Sequence, residues 1–251
     1  MSIRKNTARK GFTLIELLTV ITIIGILAAI LIPTIGGVIK VAQKSAAQSN
    51  AHQIAQTYIS YSTGSANPRT IQTTDMGTGG PAAGVATDIE DVAFILAKFN
   101  QLNDASLWYV KQDEALNGVT LPKSVITGDP DAATTVAADF AKVSPKSWAF
   151  VIGLSTNANA STTPVLWTYG LGHDGKWVKN SPWGGTGGHI AFLDGHVTWA
   201  DNLSTAGSGI SFVSYQQNSD AGTPSIDYAK AINSLGSHPA KVVNTTGQSG
   251  Q

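Results

Sequence analysis

Three histidines and three aspartates fall within 29 residues of the carboxy-terminal third: His173 and Asp174 in "GHDG", His189, Asp194 and His196 in "HIAFLDGH", and Asp201. No other part of the chain gathers three histidines with aspartates in this way. Zinc would take three or four of them in a tetrahedron, whereas Ca²⁺ would favour the carboxylates together with turn carbonyls. A plainer use competes with both. Asp-Gly pairs supply the positive φ values of type I′ turns, and each histidine would then merely flank a turn. Catalytic patterns are absent: there is no G-x-S-x-G, no Walker loop and no H-E-x-x-H. "GGTGG" at 184–188 follows Pro182-Trp183 and precedes a strand-like run, which is the wrong setting for a phosphate cradle. With no cysteine, disulfides, thiol catalysis and Cys-based zinc sites are excluded. The chain therefore reads as a non-enzyme. Trp167, Trp177, Trp183, Trp199 and Tyr169 gather in the same region, where they form either core or a carbohydrate-binding face.

The other chemically loaded residue is Glu16. It is the only charge in the 28 residues 12–39, "FTLIELLTVITIIGILAAILIPTIGGVI". Such a run exceeds the roughly 20 residues that cross a hydrocarbon core as a helix. An acidic side chain at the centre of a membrane helix costs roughly 2.5–3.5 kcal/mol, so Glu16 needs a partner. Arg4, Lys5, Arg9 and Lys10 precede the run, and Lys40 and Lys44 follow it. The excess of basic residues on the amino-terminal side keeps that end cytoplasmic and sends the remainder outward. A secretory signal would have a shorter apolar core with small residues after it. If the first ten residues leave, Lys+Arg falls from 16 to 12 against 16 Asp+Glu. A weakly acidic remainder with no basic cluster argues against nucleic acid as a partner.

"KGFTLIELLTVITIIGILAAILIP", at 10–33, resembles the leader junction and membrane helix of type IV pilins and type II secretion pseudopilins: a basic leader, Gly11, Phe12, then Glu16 and Pro33. The resemblance implies that prepilin peptidase cuts between Gly11 and Phe12 and N-methylates Phe12. It implies assembly with other subunits into a type IV pilus or secretion pseudopilus, from an inner-membrane precursor whose head is exported. A minor pilin acting as an adhesin through its Trp-rich head is the alternative. Glu16 would pair with the new terminal amine of its own chain or of a neighbour, an opposite charge that makes a buried carboxylate tolerable; the plainer alternative is that Glu16, in the first turn, meets the helix dipole and reaches the interface. Pro33, with Gly36-Gly37, predicts a kink or a locally melted segment. The resemblance also makes Ca²⁺ the metal to test, on Asp174, Asp194 and Asp201. "GGTGGHIAFLDGHVTWAD" resembles the carboxy-terminal segment of large pilin-like proteins of planctomycetes and verrucomicrobia. Those commonly carry a His ten residues before the Asp of Asp-Gly, where this chain has Gly184.

The elements that must position these residues follow from pattern. Residues 1–11 form the leader, 12–39 the transmembrane and assembly helix, and 40–62 its amphipathic continuation. Ala47, Ala51, Ile54, Tyr58 and Tyr61 make one apolar stripe at helical spacing, with His52 on the same half. Gly64, Asn67 and Pro68 end the helix. The exported head is expected at 63–239 and a disordered tail at 240–251. Within the head, 63–87 reads as a surface loop. A helix follows over 87–102, capped by Thr87 or Asp88, with Val92, Ile95, Leu96 and Phe99 as its face. "SLWYVKQDEAL" reads as a strand or strand-to-turn segment, and 117–146 as loop. "KSWAFVIGL", "TPVLWTYGL" and "HIAFLDGHVTWAD" read as antiparallel strands, the last with a two-residue Asp194-Gly195 hairpin. The fold class is α+β: a long amino-terminal helix and a head with a carboxy-terminal antiparallel sheet.

Overall fold

The computed structural model describes residues 12–66, 69–155, 158–206, 209–214, 221–232 and 240–244; the expected leader, with Gly11, lies outside the described residues. The chain divides into two compact units, Met1–Lys44 and Ser45–Gln251.

In the first unit the described structure is helical from Leu14 onward, the beginning of α1 (Leu14–Thr63). Leu14–Ile32 is long and apolar enough to cross a membrane, 19 residues of mean hydropathy 2.7, and none of it is buried. Leucine and isoleucine point in every direction around this stretch, the signature of a helix with apolar surroundings on all sides. Its hydroxyls are satisfied within the helix: Thr19 Oγ1 donates to the Glu16 carbonyl (3.0 Å) and Thr22 Oγ1 to the Leu18 carbonyl (2.8 Å). Such bonding removes the cost of placing a hydroxyl where no water is available. The helix continues without a break through Pro33, Gly36 and Gly37, so the locally melted segment does not form. Proline deletes one hydrogen bond, and the turns on either side carry the helix past it.

The second unit is built on a five-stranded antiparallel sheet of order β4-β3-β2-β1-β7, preceded by α2 (Ile89–Asn100) and α3 (Ala138–Lys142). The strands are β1 (Trp148–Ile152), β2 (Pro164–Thr168), β3 (Gly188–Phe192), β4 (Val197–Ala200) and β7 (Lys241–Val243). Every residue of β1, β2 and β3 is buried, because both faces of the sheet are covered. On one face the carboxy-terminal half of α1 brings Tyr58 edge-on to Phe150, ring centroids 5.3 Å apart. The stripe Ala47, Ala51, Ile54, Tyr58 and Tyr61 is buried as its spacing predicts. On the other face Trp167 meets Phe212 and Tyr228, at 6.4 and 5.0 Å. Phe212 belongs to a small ribbon of β5 (Phe212–Val213) and β6 (Pro224–Ser225), and Tyr228 to α4 (Tyr228–Ala231). Two-sided cover explains why these strands read as near-continuous apolar runs rather than alternating ones.

Several expectations are corrected. "SLWYVKQDEAL" forms two 3₁₀ turns, Ala105–Trp108 and Glu114–Leu116, instead of a strand. Asp104 Oδ1 accepts from Ser106 N (2.9 Å) and Asp113 Oδ1 from Ala115 N (3.1 Å), local bonds that bend the chain out of an extended course. Helix α3 lies inside 117–146. In α2 Asp88 is the cap, accepting from the backbone of Glu90 and Asp91. Phe99 is partly exposed against Tyr61, whereas Ala93, Phe94 and Ala97 join Val92, Ile95 and Leu96 in the core. The stretch 63–87 is irregular but not all surface, since Thr70, Ile71, Thr73, Val85 and Ala86 are buried. Within the expected tail 240–251, β7 pairs with β1 in the register Phe150↔Val243 and Ile152↔Lys241; 245–251 lie outside the described residues.

Candidate functional site

At the amino terminus, Thr13 and Glu16 form a capping box. Thr13 N donates to Glu16 Oε2 (2.8 Å), Thr13 Oγ1 donates to the same oxygen (2.7 Å), and Glu16 N donates to Thr13 Oγ1 (3.3 Å). The carboxylate therefore already has a structural use in its own chain, at the helix end where a negative charge is favoured. The T-x-x-E spacing is the sequence signal of this cap. Only Oε2 is engaged; among the described residues Oε1 has no donor. Phe12 stands immediately before the box and is almost fully exposed.

The two Asp-Gly turns share one geometry, and it is not type I′. Phe192 N donates to the His196 carbonyl (3.0 Å) and Gly195 N to the Phe192 carbonyl (2.8 Å). Gly172 N to Lys176 O (2.8 Å) and Gly175 N to Gly172 O (3.0 Å) repeat the arrangement. Each is a three-residue loop in which the glycine alone has positive φ, +89° at Gly195 and +74° at Gly175. A type I′ turn would require positive φ at the aspartate as well. The aspartates instead cap their own turns: Asp174 Oδ1 accepts from Lys176 N (3.1 Å) and Asp194 Oδ1 from His196 N (3.0 Å).

These turns dock in different places. Gly195 lies against Gln56 and Ile59 of α1, its carbonyl accepts from His52 Nδ1 (2.7 Å), and the Val197 carbonyl accepts from Gln48 Nε2 (3.3 Å). Gly175 lies against Leu203 and Ile226. There His173 Nδ1 meets Asp227 Oδ1 (2.7 Å), and its Nε2 meets the Tyr228 hydroxyl (3.1 Å). Burial, aided by the Asp227 charge, pushes the Tyr228 hydroxyl pKa up. Asp201 is engaged elsewhere, accepting from Trp199 Nε1 at 2.7 Å. The structure does not bring together the three carboxylates named for Ca²⁺: Asp174, Asp194 and Asp201 each make a separate local bond. Among the described residues no group of three or more His, Asp or Glu is placed to hold a metal ion.

The tryptophans are mainly core. Trp167, Trp177 and Trp183 are buried with Tyr169, and Trp199 alone is half-buried. Trp183, His189 and Trp199 pack edge to face with centroids 4.9–5.7 Å apart, and Trp177 Nε1 donates to the Thr168 carbonyl at 3.2 Å. Sequence reading also missed a buried carboxylate. Asp113 accepts from Tyr169 OH (3.1 Å) and Ser147 Oγ (3.2 Å) as well as Ala115 N. Burial pushes its pKa up against the pull of those hydrogen bonds, and the neighbouring Glu114 adds to the rise.

Residues 6–32 match the family model described as "Prokaryotic N-terminal methylation motif". No curated protein and no solved structure matches the chain. The motif ends where the candidate membrane span Leu14–Ile32 ends, so all 19 residues of the exposed apolar helix lie within it.

Proposed function

We propose that this chain, a pilin-like subunit carrying the prepilin-type methylation motif, polymerises through α1 into a type IV pilus or a type II secretion pseudopilus. Prepilin peptidase cuts between Gly11 and Phe12 and methylates the new amine. Before assembly the protein is a single-pass inner-membrane precursor with a cytoplasmic amino terminus, and its head is exported. The observation that carries this reading is Glu16, the one charge in the apolar run of a chain that matches the methylation motif: one carboxylate oxygen closes the helix cap, and the other has no donor among the described residues. A terminal ammonium, of the same chain or a neighbour, supplies the missing donor and offsets the cost of burying the charge. The adhesin alternative needs the tryptophans on the surface, and of Trp167, Trp177, Trp183 and Trp199, on which that reading rests, the first three are buried.

Two variants separate the roles of Glu16. Glu16→Gln keeps the capping box, since glutamine serves at that position, but removes the charge; Glu16→Ala removes both. If the ammonium pair drives assembly, both variants are processed normally and both lose filaments. Filaments of Glu16→Gln at wild-type yield would leave only the capping role.

A further inference from the structure

Three oxygens stand in a row inside the head: Asp113 Oδ1, the Tyr169 hydroxyl and the Asn180 carbonyl. The hydroxyl lies 3.1 Å from Asp113 Oδ1 and 2.9 Å from the Asn180 oxygen. Two such contacts need two hydrogens, and a tyrosine hydroxyl has one. With that hydrogen aimed at Asp113, the Asn180 contact has none. Aimed at Asn180, it leaves the Asp113 contact bare unless the carboxyl carries a proton, because an ionised aspartate only accepts. The neighbours cannot make up the deficit. Ser147 Oγ accepts from Val110 N (2.9 Å) and gives its own hydrogen to Asp113 Oδ2 (3.2 Å), and Ala115 N already donates to Oδ1 (3.1 Å). Asp113, Ser147 and Tyr169 are all buried, where an unmet polar contact is costly. The ionisable groups that press on Asp113 are Tyr169, just beyond β2, and Glu114, an anion next along the chain. Of the lysines along these segments, Lys146 is turned to Glu90 (2.8 Å), and Lys111 and Lys179 are at the surface.

We propose that Asp113 is a proton-operated switch in the head: protonated, it donates to the Tyr169 oxygen and leaves the Tyr169 hydrogen for the Asn180 carbonyl; ionised, it takes that hydrogen and releases Asn180. The protonated arrangement satisfies all three oxygens, whereas the ionised one satisfies two. Burial, and then the like charge of Glu114, favour the proton by pushing the Asp113 pKa up. Asn180 sits at the surface, so on release its carbonyl turns to water. The bond it loses ties down the turn in which Ser181 N donates to the Val178 carbonyl (2.9 Å). That turn leads into Trp183, which packs on His189 and Trp199. The segment is therefore held to the end of β2 on the acid side of the switch and loosened on the other. The inference goes beyond filament assembly and stands independently of it, because no residue of the relay belongs to α1.

The test is carbon NMR on the full chain in detergent micelles, with aspartate Cγ, tyrosine Cζ and the asparagine carbonyl labelled with ¹³C. The titration runs from about pH 3 to about pH 8, on both sides of the ordinary aspartate value near 3.9. Asp113 is expected to titrate with a midpoint above that value, and the Tyr169 Cζ and Asn180 carbonyl resonances to shift at the same midpoint. Tyr169→Phe removes the shared hydrogen, so Asp113 still titrates and the Asn180 response is lost. Asp113→Asn abolishes the response at both Tyr169 and Asn180. An Asp113 midpoint at or below the ordinary value overturns the proposal, as does an Asn180 carbonyl that stays still while Asp113 titrates. An Asn180 response that survives Tyr169→Phe overturns it equally, since only the field of the charge would then reach Asn180. If Tyr169→Phe does not fold, the titration of the parent chain decides through the first two outcomes.

Discussion

The two halves of α1 carry apolar surface of opposite kinds. In Leu14–Ile32 the large side chains surround the helix and stay exposed, Leu14 at 82% and Ile32 at 68%. Beyond Ser45 the apolar residues narrow to a stripe of small and aromatic side chains, and Ala51 and Ile54 are completely buried. Small residues let the second half approach the sheet closely, and Tyr58 then fills the space against Phe150 while its hydroxyl bonds Thr70 Oγ1 at 3.0 Å. The first half has no such partner among the described residues. On the proposed function its surface meets lipid or other subunits, whereas the second half's surface is already spent on its own head. One continuous helix can thus serve two solvents, because its composition changes where its surroundings do.

The largest expected contrast is in core truncation. Tyr58→Ala should destabilise the head by about 3–5 kcal/mol, as for other large aromatic cavities. Leu18→Ala should leave head melting within about 0.5 kcal/mol of the parent. Comparable losses from both, measured by thermal denaturation in detergent, would erase the distinction. A smaller effect probes how tightly the second half is held. A Cβ on Gly195 would come within 2.0 Å of Gln56 Nε2 in addition to its φ of +89°, so Gly195→Ala should cost about 2 kcal/mol. Adding Gln56→Ala should recover part of that loss and leave about 1 kcal/mol from the backbone alone. No recovery would mean that the turn does not press on α1.

Titration sharpens the comparison further. The described part of the first unit has no buried ionisable group, so the pH response of stability belongs to the head, with Asp113 as a main contributor. Its folded pKa is raised, so the folded state binds its proton more tightly than the unfolded chain, where an aspartate titrates near 3.9. The contribution is therefore present at low pH and is lost as pH rises through the folded value. Asp113→Asn should flatten that decline in a series of melting curves across acidic to neutral pH, and an unchanged slope would assign it elsewhere. The smallest expected effect is His52→Ala, about 1 kcal/mol for the lost bond to the Gly195 carbonyl, read as a small drop in head melting.

How much of this was legible in the sequence depended on the kind of signal. The α1 stripe, the cap at Asp88 and the strands around Trp148, Trp167 and Ile190 repeat over several residues, and burial followed the pattern. Single polar residues were read less well. Asp104 and Asp113 turned an apolar, strand-like segment into 3₁₀ turns through one local bond each. The edge strand β7 is three residues long and gains its place only by pairing with β1, which sequence pattern does not reveal. Asp174, Asp194 and Asp201 look like a ligand set because they are close along the chain; the fold gives the first two their own turns and the third the Trp199 indole. For Glu16 both signals are in the sequence: the lone charge in an apolar run, and the T-x-x-E spacing that sets its bond to Thr13.

The central claim is that the exposed apolar helix becomes an assembly surface once the chain is cut before Phe12. The most direct test is the mass of the amino-terminal peptide of the protein purified from membranes of cells with an intact prepilin peptidase. The account predicts a peptide that begins at Phe12 and is one methyl group heavier than its sequence. A peptide beginning at Met1 or Ser2, with the basic leader still attached, would contradict it.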